Sequence, residues 1–368
     1  MYSSRSILAA LLLAAAPACE GDDPAATDTH LDAGDGGGTA CEADRALVPV
    51  EETGCAPAAT DYRPRDQGSA TDTWPACISD DDTYHVVEPS IGALGRVAAF
   101  EELAARLGFG GTKVPSPQDF LDARVIYTQP EGIESRVVRR EDEHFPAAPM
   151  ACRDMTATEQ ATYPDRCVGP VKILPILNAA FQAGIDGVDP VGNASKIEGA
   201  LLWFFYVSIF KEATSAAAAA KDCDSMWAKY TGGTQRDEAP AGFGRYVLAR
   251  SRTAHDRVID GLLAVRCWRD LDNPSGAAAN LALRDQARLQ LDTALLRGIA
   301  LVVRQRVQTL PCDGAWESTK ILAGVLDREA AARDPGSASA LREEFAKSAD
   351  AVDAARVIAA LDALFPCS

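Results

Sequence analysis

The chain has 368 residues, a formal net charge of −17 and 47% hydrophobic residues, enough to form one large folded domain or two small ones. The acidity is unevenly placed: residues 20–89 carry seventeen Asp and Glu against three Arg, whereas the residues beyond 89 hold thirty-six acids and thirty-two bases. An acidic leading segment followed by a nearly balanced body argues against nucleic-acid binding.

Residues 1–18 read as an export signal. Arg5 supplies a positive start, and Ile7 to Ala16 is an apolar run too short to span a bilayer. The small residues Ala16-Pro17-Ala18 then lead to Cys19. This pattern resembles the lipobox of bacterial lipoproteins, with Cys19 as the lipidated residue. The resemblance implies export and a membrane anchor through an N-terminal lipid, with the outer membrane as the expected site. It departs from the family at Ala16, where the lipobox prefers Leu. Ala16-Pro17-Ala18 also fits the small-x-small rule of ordinary signal peptidase, which leaves a soluble periplasmic or secreted protein as the alternative.

Residues 19–83 are rich in Asp, Gly, Ala and Thr, and Asp32-Ala33-Gly34-Asp35-Gly36-Gly37-Gly38 has no periodicity. Such a segment buries too little apolar surface to offset its ordering entropy, so 19–83 is expected to be a disordered acidic tether.

The body, 84–368, reads as all-α. Ser90 is placed to cap a helix through Leu107 with Val97, Phe100, Leu103 and Leu107 on one face. Ser116-Pro117 opens a helix to about Ile126. Val171 to Ile185 is apolar but interrupted by Pro175, and Asn193 is placed to cap a helix from Ala194 to about Lys221. Gly242 to Trp268, Asn280 to Leu310, Asp313 to Arg333 and Ser339 to Leu364 complete the set. The run from Ala200 to Phe210, closed by Lys211-Glu212, is too short for a membrane span and reads as a core helix. Trp203-Phe204-Phe205-Tyr206 within it is aromatic all round, which suits a buried central helix or an apolar ligand groove.

Four landmarks recur in order across the second half. They are Ala-Leu-Leu at 200–202 and 294–296, Cys-Asp-x-x-Trp at 223–227 and 312–316, Arg-Val-Ile at 257–259 and 356–358, and a following Cys267 or Cys367. The body therefore divides into an N-terminal helical region, 84–192, and two duplicated helical-hairpin units, 193–275 and 276–368. Asp224 or Asp313 is expected to cap the helix that follows, with the Trp packed one turn inside. In an oxidising compartment the duplication pairs Cys223 with Cys267 and Cys312 with Cys367, and Cys152 and Cys167 bracket a loop as a third pair. With Cys19 lipidated, nine cysteines remain and one is unpaired.

No metalloprotease, serine-hydrolase, nucleotide-binding or thioredoxin-type motif is present. Of four histidines, His30 lies in the tether and His85 reads as a surface or packing residue. Glu141, Glu143 and His144 are a possible divalent-metal set, although Arg136, Arg139 and Arg140 beside them suit a solvated charge cluster. His255 with Asp256 and Asp260 is the richest constellation, able to bind a cation or to supply acid–base groups to a hydrolase, unless Arg252 and its neighbours absorb the carboxylates in ion pairs.

The segment Ile197-Glu198-Gly199-Ala200-Leu201-Leu202-Trp203 is similar to the Ile-Glu-x-Leu-Leu-Trp segments of the imelysin family. That resemblance implies a duplicated helical lipoprotein that binds a metal or small ligand. The family's Gly-x-His-x-x-Glu motif is missing, so no site residue carries over. The expected function is an exported, lipid-anchored envelope lipoprotein whose disulfide-stapled helical body binds an envelope protein or small ligand, or serves as a scaffold, without identifiable catalysis. Mass spectrometry of the mature protein is expected to find diacylglycerol on Cys19; an unmodified Cys19 overturns the anchor.

Overall fold

The computed structural model describes residues 57–66, 68–89, 92–111, 113–272, 279–310 and 314–366, and within them there is helix but no strand. Cys19, Ser90, Asp313 and the expected Cys312–Cys367 pair lie outside the described residues. The N-terminal region holds α1 (Gly92–Leu107), α2 (Pro117–Tyr127), α3 (Glu134–Val137), α4 (Ala157–Gln160) and α5 (Leu174–Ile185). Then follow α6 (Pro190–Ser215), α7 (Lys221–Thr231), α8 (Gly242–Leu248) and α9 (Arg252–Asp272). The last group is α10 (Leu281–Gln308), α11 (Trp316–Arg333), α12 (Pro335–Phe345) and α13 (Ala354–Leu364).

Local chemistry explains most boundaries. Ser116 accepts the Asp119 N–H while the Asp119 carboxylate accepts the Ser116 N–H at 2.9 Å, a capping box ahead of Pro117. Asn280 caps α10 through the Leu283 N–H. Pro175 cannot donate, and the chain meets it with a π-helical turn over Gly169–Ile173 before α5. The expected helix from Gly242 to Trp268 breaks at residues 249–251, where the Ser251 hydroxyl accepts the Ala254 N–H and starts α9. The expected helix from Ser339 to Leu364 likewise splits, because Asp353 accepts the Arg356 N–H and opens α13.

Two expected caps are corrected. Asp189, not Asn193, starts α6: its backbone is left-handed at φ 39° and its carboxylate accepts the Gly192 N–H at 3.1 Å. Asn193 sits a turn inside and donates to the Val188 and Asp189 carbonyls. Asp224 does not cap α7 either. It is buried within the helix and accepts the Val87 and Glu88 N–H groups and the Tyr84 hydroxyl.

Helix α6 is the central post of the body. Phe204 and Phe205 are wholly buried, Tyr206 nearly so, and α5, α7, α10 and α11 pack around it. Trp203 alone of the aromatic quartet is partly exposed. Helices α9 and α10 pack along one another, and glycines let the backbones meet. A Cβ on Gly261 would lie 2.7 Å from the Leu291 Cα, and one on Gly199 would lie 2.8 Å from the Ser318 Cα. Those recurring landmarks that lie among the described residues fall in the same order on α6–α9 and α10–α13, in different surroundings. Trp227 stacks on Tyr84 at 4.3 Å between centroids, whereas Trp316 opens α11 and stacks on Phe345 at 5.7 Å.

The expected tether, 19–83, ends earlier than its composition implies. Residues from 57 onward lie on the helical body: Tyr62 and Trp74 are buried and meet edge-to-face at 5.1 Å, and the Gln290 side chain of α10 bonds both backbone groups of Tyr62. Asp80 fixes the turn by accepting the Cys77 N–H and the Tyr62 hydroxyl. This placement corrects the disulfide map. Cys267 of α9 bonds Cys77, not Cys223, and Cys223 is a buried free thiol. The Cys152–Cys167 pair is present as expected. Closing 190 residues, the Cys77–Cys267 bridge stabilises by roughly 5 kcal/mol in the chain-entropy account.

The same substitution should act with opposite sign at two helical glycines. Gly261→Ala is expected to cost about 1–3 kcal/mol by forcing α9 from α10. Gly95→Ala, whose added methyl meets nothing within 4 Å, is expected to stabilise by about 0.5–1 kcal/mol. Urea denaturation of both variants checks the pair.

Candidate functional site

The His255 constellation is taken apart by the fold. His255 is 1% exposed on α9, and its Nδ1 lies 3.2 Å from the Tyr230 hydroxyl of α7. Burial pushes the imidazole down to about 4, so the ring is neutral. Asp256 and Asp260 instead serve ion pairs. Arg236 reaches Asp260 at 2.6 Å and Asp256 at 3.4 Å, Arg252 reaches Asp256 at 3.1 Å, and Arg65 reaches Asp260 at 3.3 Å. Arg236 also binds Asp82, so this network fastens residues 65–82 to α9. The expected set of His255, Asp256 and Asp260 does not form a close metal-ligand cluster among the described residues, and both carboxylates are engaged in ion pairs. His85, paired to Asp81 at 2.9 Å and partly exposed, is the surface residue expected.

The Glu141–His144 set is also divided. Glu141 and Glu143 both bind Arg166, at 2.8 and 2.9 Å. His144 turns the other way and bridges two aspartates, Nδ1 to Asp142 at 2.6 Å and Nε2 to Asp292 of α10 at 3.0 Å. Phe210 stacks on the ring with centroids 3.8 Å apart, and the Tyr206 hydroxyl donates to Asp292 at 2.8 Å. Burial works against the charged ring, but the hydrogen bonds and charges of the two aspartates outweigh it and hold the imidazole up at about 9. Both ring nitrogens of His144 are thus engaged by aspartate oxygens, away from Glu141 and Glu143. One trio of metal-type ligands lies close together among the described residues, Cys77, Asp80 and Cys267, and there both sulfurs are spent on the disulfide.

The arrangement with unspent chemistry lies elsewhere. A cavity of about 480 Å³ opens between α1, the segment after α3, the end of α6 and the start of α7. Its basic lining comes from Arg96 of α1, from Arg136, Arg139, Arg140 and Arg153, and from Lys211, Lys221 and Lys229 of the α6–α7 corner. Its acids are Glu88, Glu141, Glu143, Glu212 and Asp222, of which Glu141 and Glu143 are already held by Arg166. Arg136 is in turn held by Glu131 and Arg153 by Asp154, which leaves six cations facing Glu88, Glu212 and Asp222.

Glu212 carries most of the compensation. It binds Lys229 at 2.8 Å and Lys211 at 3.1 Å and stands 3.8 Å from Arg140. Burial opposes its charge, yet those three cations hold its carboxyl well below the usual carboxylate range. Burial pushes Lys229 down to about 8 against the pull of Glu212. Arg140 is 6% exposed, its guanidinium lies 5.5 Å from the Phe204 ring centroid, and its Nε has no hydrogen-bond partner. Arg96 is 8% exposed and makes no ion pair among the described residues, and its Nε is buried without a partner. Burial, then the charge of Arg136, pushes Arg96 down to about 10, and Arg139 is lowered for the same two reasons. Uncompensated cations facing one cavity are an arrangement that an anionic guest relieves.

The Arg136, Arg139 and Arg140 cluster is visible in the sequence, but its partners Arg96, Glu212 and Lys229 are distant along the chain and carry no local signal. A second cavity of about 290 Å³ places Trp203, Tyr206 and His144 against Gly324, Asp327 and Arg328 of α11. No known protein family matches the chain, and no curated protein or solved structure is detectably similar to it.

The raised His144 value gives a signed expectation. Its contribution, roughly 3 kcal/mol for a shift of that size, is fully present below pH 6.5 and is lost as pH rises through about 9. Lys229 titrates in an overlapping range with the opposite sign, so the comparison must be with His144→Gln. Thermal melts from pH 6 to 10 should show the stability difference between native chain and His144→Gln shrinking as pH rises.

Proposed function

We propose that this chain is an exported, lipid-anchored protein of the cell envelope whose helical body is a binding module for a small anionic ligand. The observation that carries the binding reading is the cavity in which Arg96, Arg139 and Arg140 are gathered with too few acids to balance them. Its size suits a metabolite-sized guest, and its lining of charged groups suits an anion rather than a lipid. Two disulfides and the Ala16-Pro17-Ala18-Cys19 pattern support the export half of the reading. Duplication of a helical unit fits the shared order of landmarks on α6–α9 and α10–α13.

A cation retained for binding at the expense of stability has a recognisable signature. Arg96→Gln is expected to raise stability by about 0.5–2 kcal/mol while weakening the binding of small anions by about tenfold or more. Calorimetric titration with orthophosphate, glucose 6-phosphate and succinate at low salt, beside denaturant melts, reads both. Absence of binding to all three, with no gain in stability, would sink the reading.

A further inference from the structure

The charge balance of the cavity says more than "anion". Arg96 and Arg139 make no ion pair among the described residues, and Glu212 alone answers Lys229, Lys211 and Arg140. Against this surplus stand Glu88 and Asp222, so a singly charged guest leaves cations unmet. The cations also approach from separate elements: Arg96 from α1, Arg139 and Arg140 from the segment after α3, and Lys229 from α7. A planar carboxylate presents two oxygens in one plane. A phosphoryl group presents three oxygens around a tetrahedron and carries close to two charges at neutral pH, so it meets donors arriving from several sides.

The first turns of α7 add different chemistry to the lining. Asp222 and Ser225 are three residues apart on one face of α7, and Asp222 makes no ion pair among the described residues. Carboxylate and hydroxyl groups there accept hydrogen bonds from the hydroxyls of a guest. The cavity, about 480 Å³, also exceeds what inorganic phosphate fills.

We infer that the site takes a phosphate ester of a small polyol, of the sugar-phosphate class, with the phosphoryl group among Arg96, Arg139 and Arg140 and the hydroxylated body toward Asp222 and Ser225. This rests on the anion-binding reading and narrows it to one ligand chemistry.

The test is calorimetric titration of the mature full chain with glucose 6-phosphate, orthophosphate, succinate and glucose under one salt condition. Glucose 6-phosphate is expected to bind about tenfold or more tightly than orthophosphate or succinate, and glucose alone not to bind. Arg139→Gln should weaken both phosphates. Asp222→Asn should weaken glucose 6-phosphate and leave orthophosphate unchanged. Succinate binding more tightly than either phosphate overturns the phosphoryl assignment and leaves the anion module standing. Orthophosphate binding as tightly as glucose 6-phosphate overturns the polyol assignment. Binding of none overturns both readings, provided that thermal melts show each protein folded.

Discussion

One carboxylate answers three cations at the corner where α6 meets α7, and the candidate site follows from that imbalance. Several buried charges elsewhere are matched closely, although Arg269 of α9 makes no ion pair among the described residues. Asp260, wholly buried, takes Arg236 at 2.6 Å. Glu198, equally buried, takes Arg306 at 2.8 Å and the Tyr246 hydroxyl at 2.8 Å. His144 carries its charge because two aspartates flank it. Ionised groups leave water at a cost of several kcal/mol each, so such pairing is what a folded chain requires. Glu212 meets that requirement only in part. Arg140, held against Phe204, shares it with two lysines, and Arg96 stands outside its reach, so the end of the α6 core becomes a field of positive potential.

The helical frame was largely legible in local sequence. Ser116 with Asp119, Asn280 with Leu283, and the apolar face of α1 are short-range patterns, and short-range patterns survive folding. The Cys152–Cys167 bridge was legible for the same reason, since 15 residues separate its ends. What failed was long-range. Cys267 lies 190 residues from its partner, and the recurring sequence landmarks pointed it at Cys223. Residues 57–83 have a linker's composition, yet Tyr62 and Trp74 supply two aromatic anchors and the aspartates supply turn acceptors. A count of apolar residues does not register such sparse anchors.

The candidate site shows the same limit more sharply. Histidine beside acids drew attention to His255 and His144, but spacing along a helix says which residues share a face, not what that face meets. Asp256 and Asp260 meet Arg236, and His144 meets Asp292 on a helix nearly 150 residues away. Arg136, Arg139 and Arg140 looked like solvated charge because the residues that follow them, Glu141 to His144, are charged or titratable. The neighbours of Arg140 in space, Phe204 and Glu212, belong to the core helix.

The bridge between Cys77 and Cys267 has a further consequence, for how the molecule comes apart. It encloses α1 through most of α9 in one covalent ring. A single backbone cut anywhere inside that ring leaves both pieces joined, and each can re-dock without diffusing away. A pull on the chain from its N-terminal side peels residues only as far as Cys77. Beyond that point the load passes through sulfur into α9, and through its packing into α10, so the strap and the core yield together or not at all.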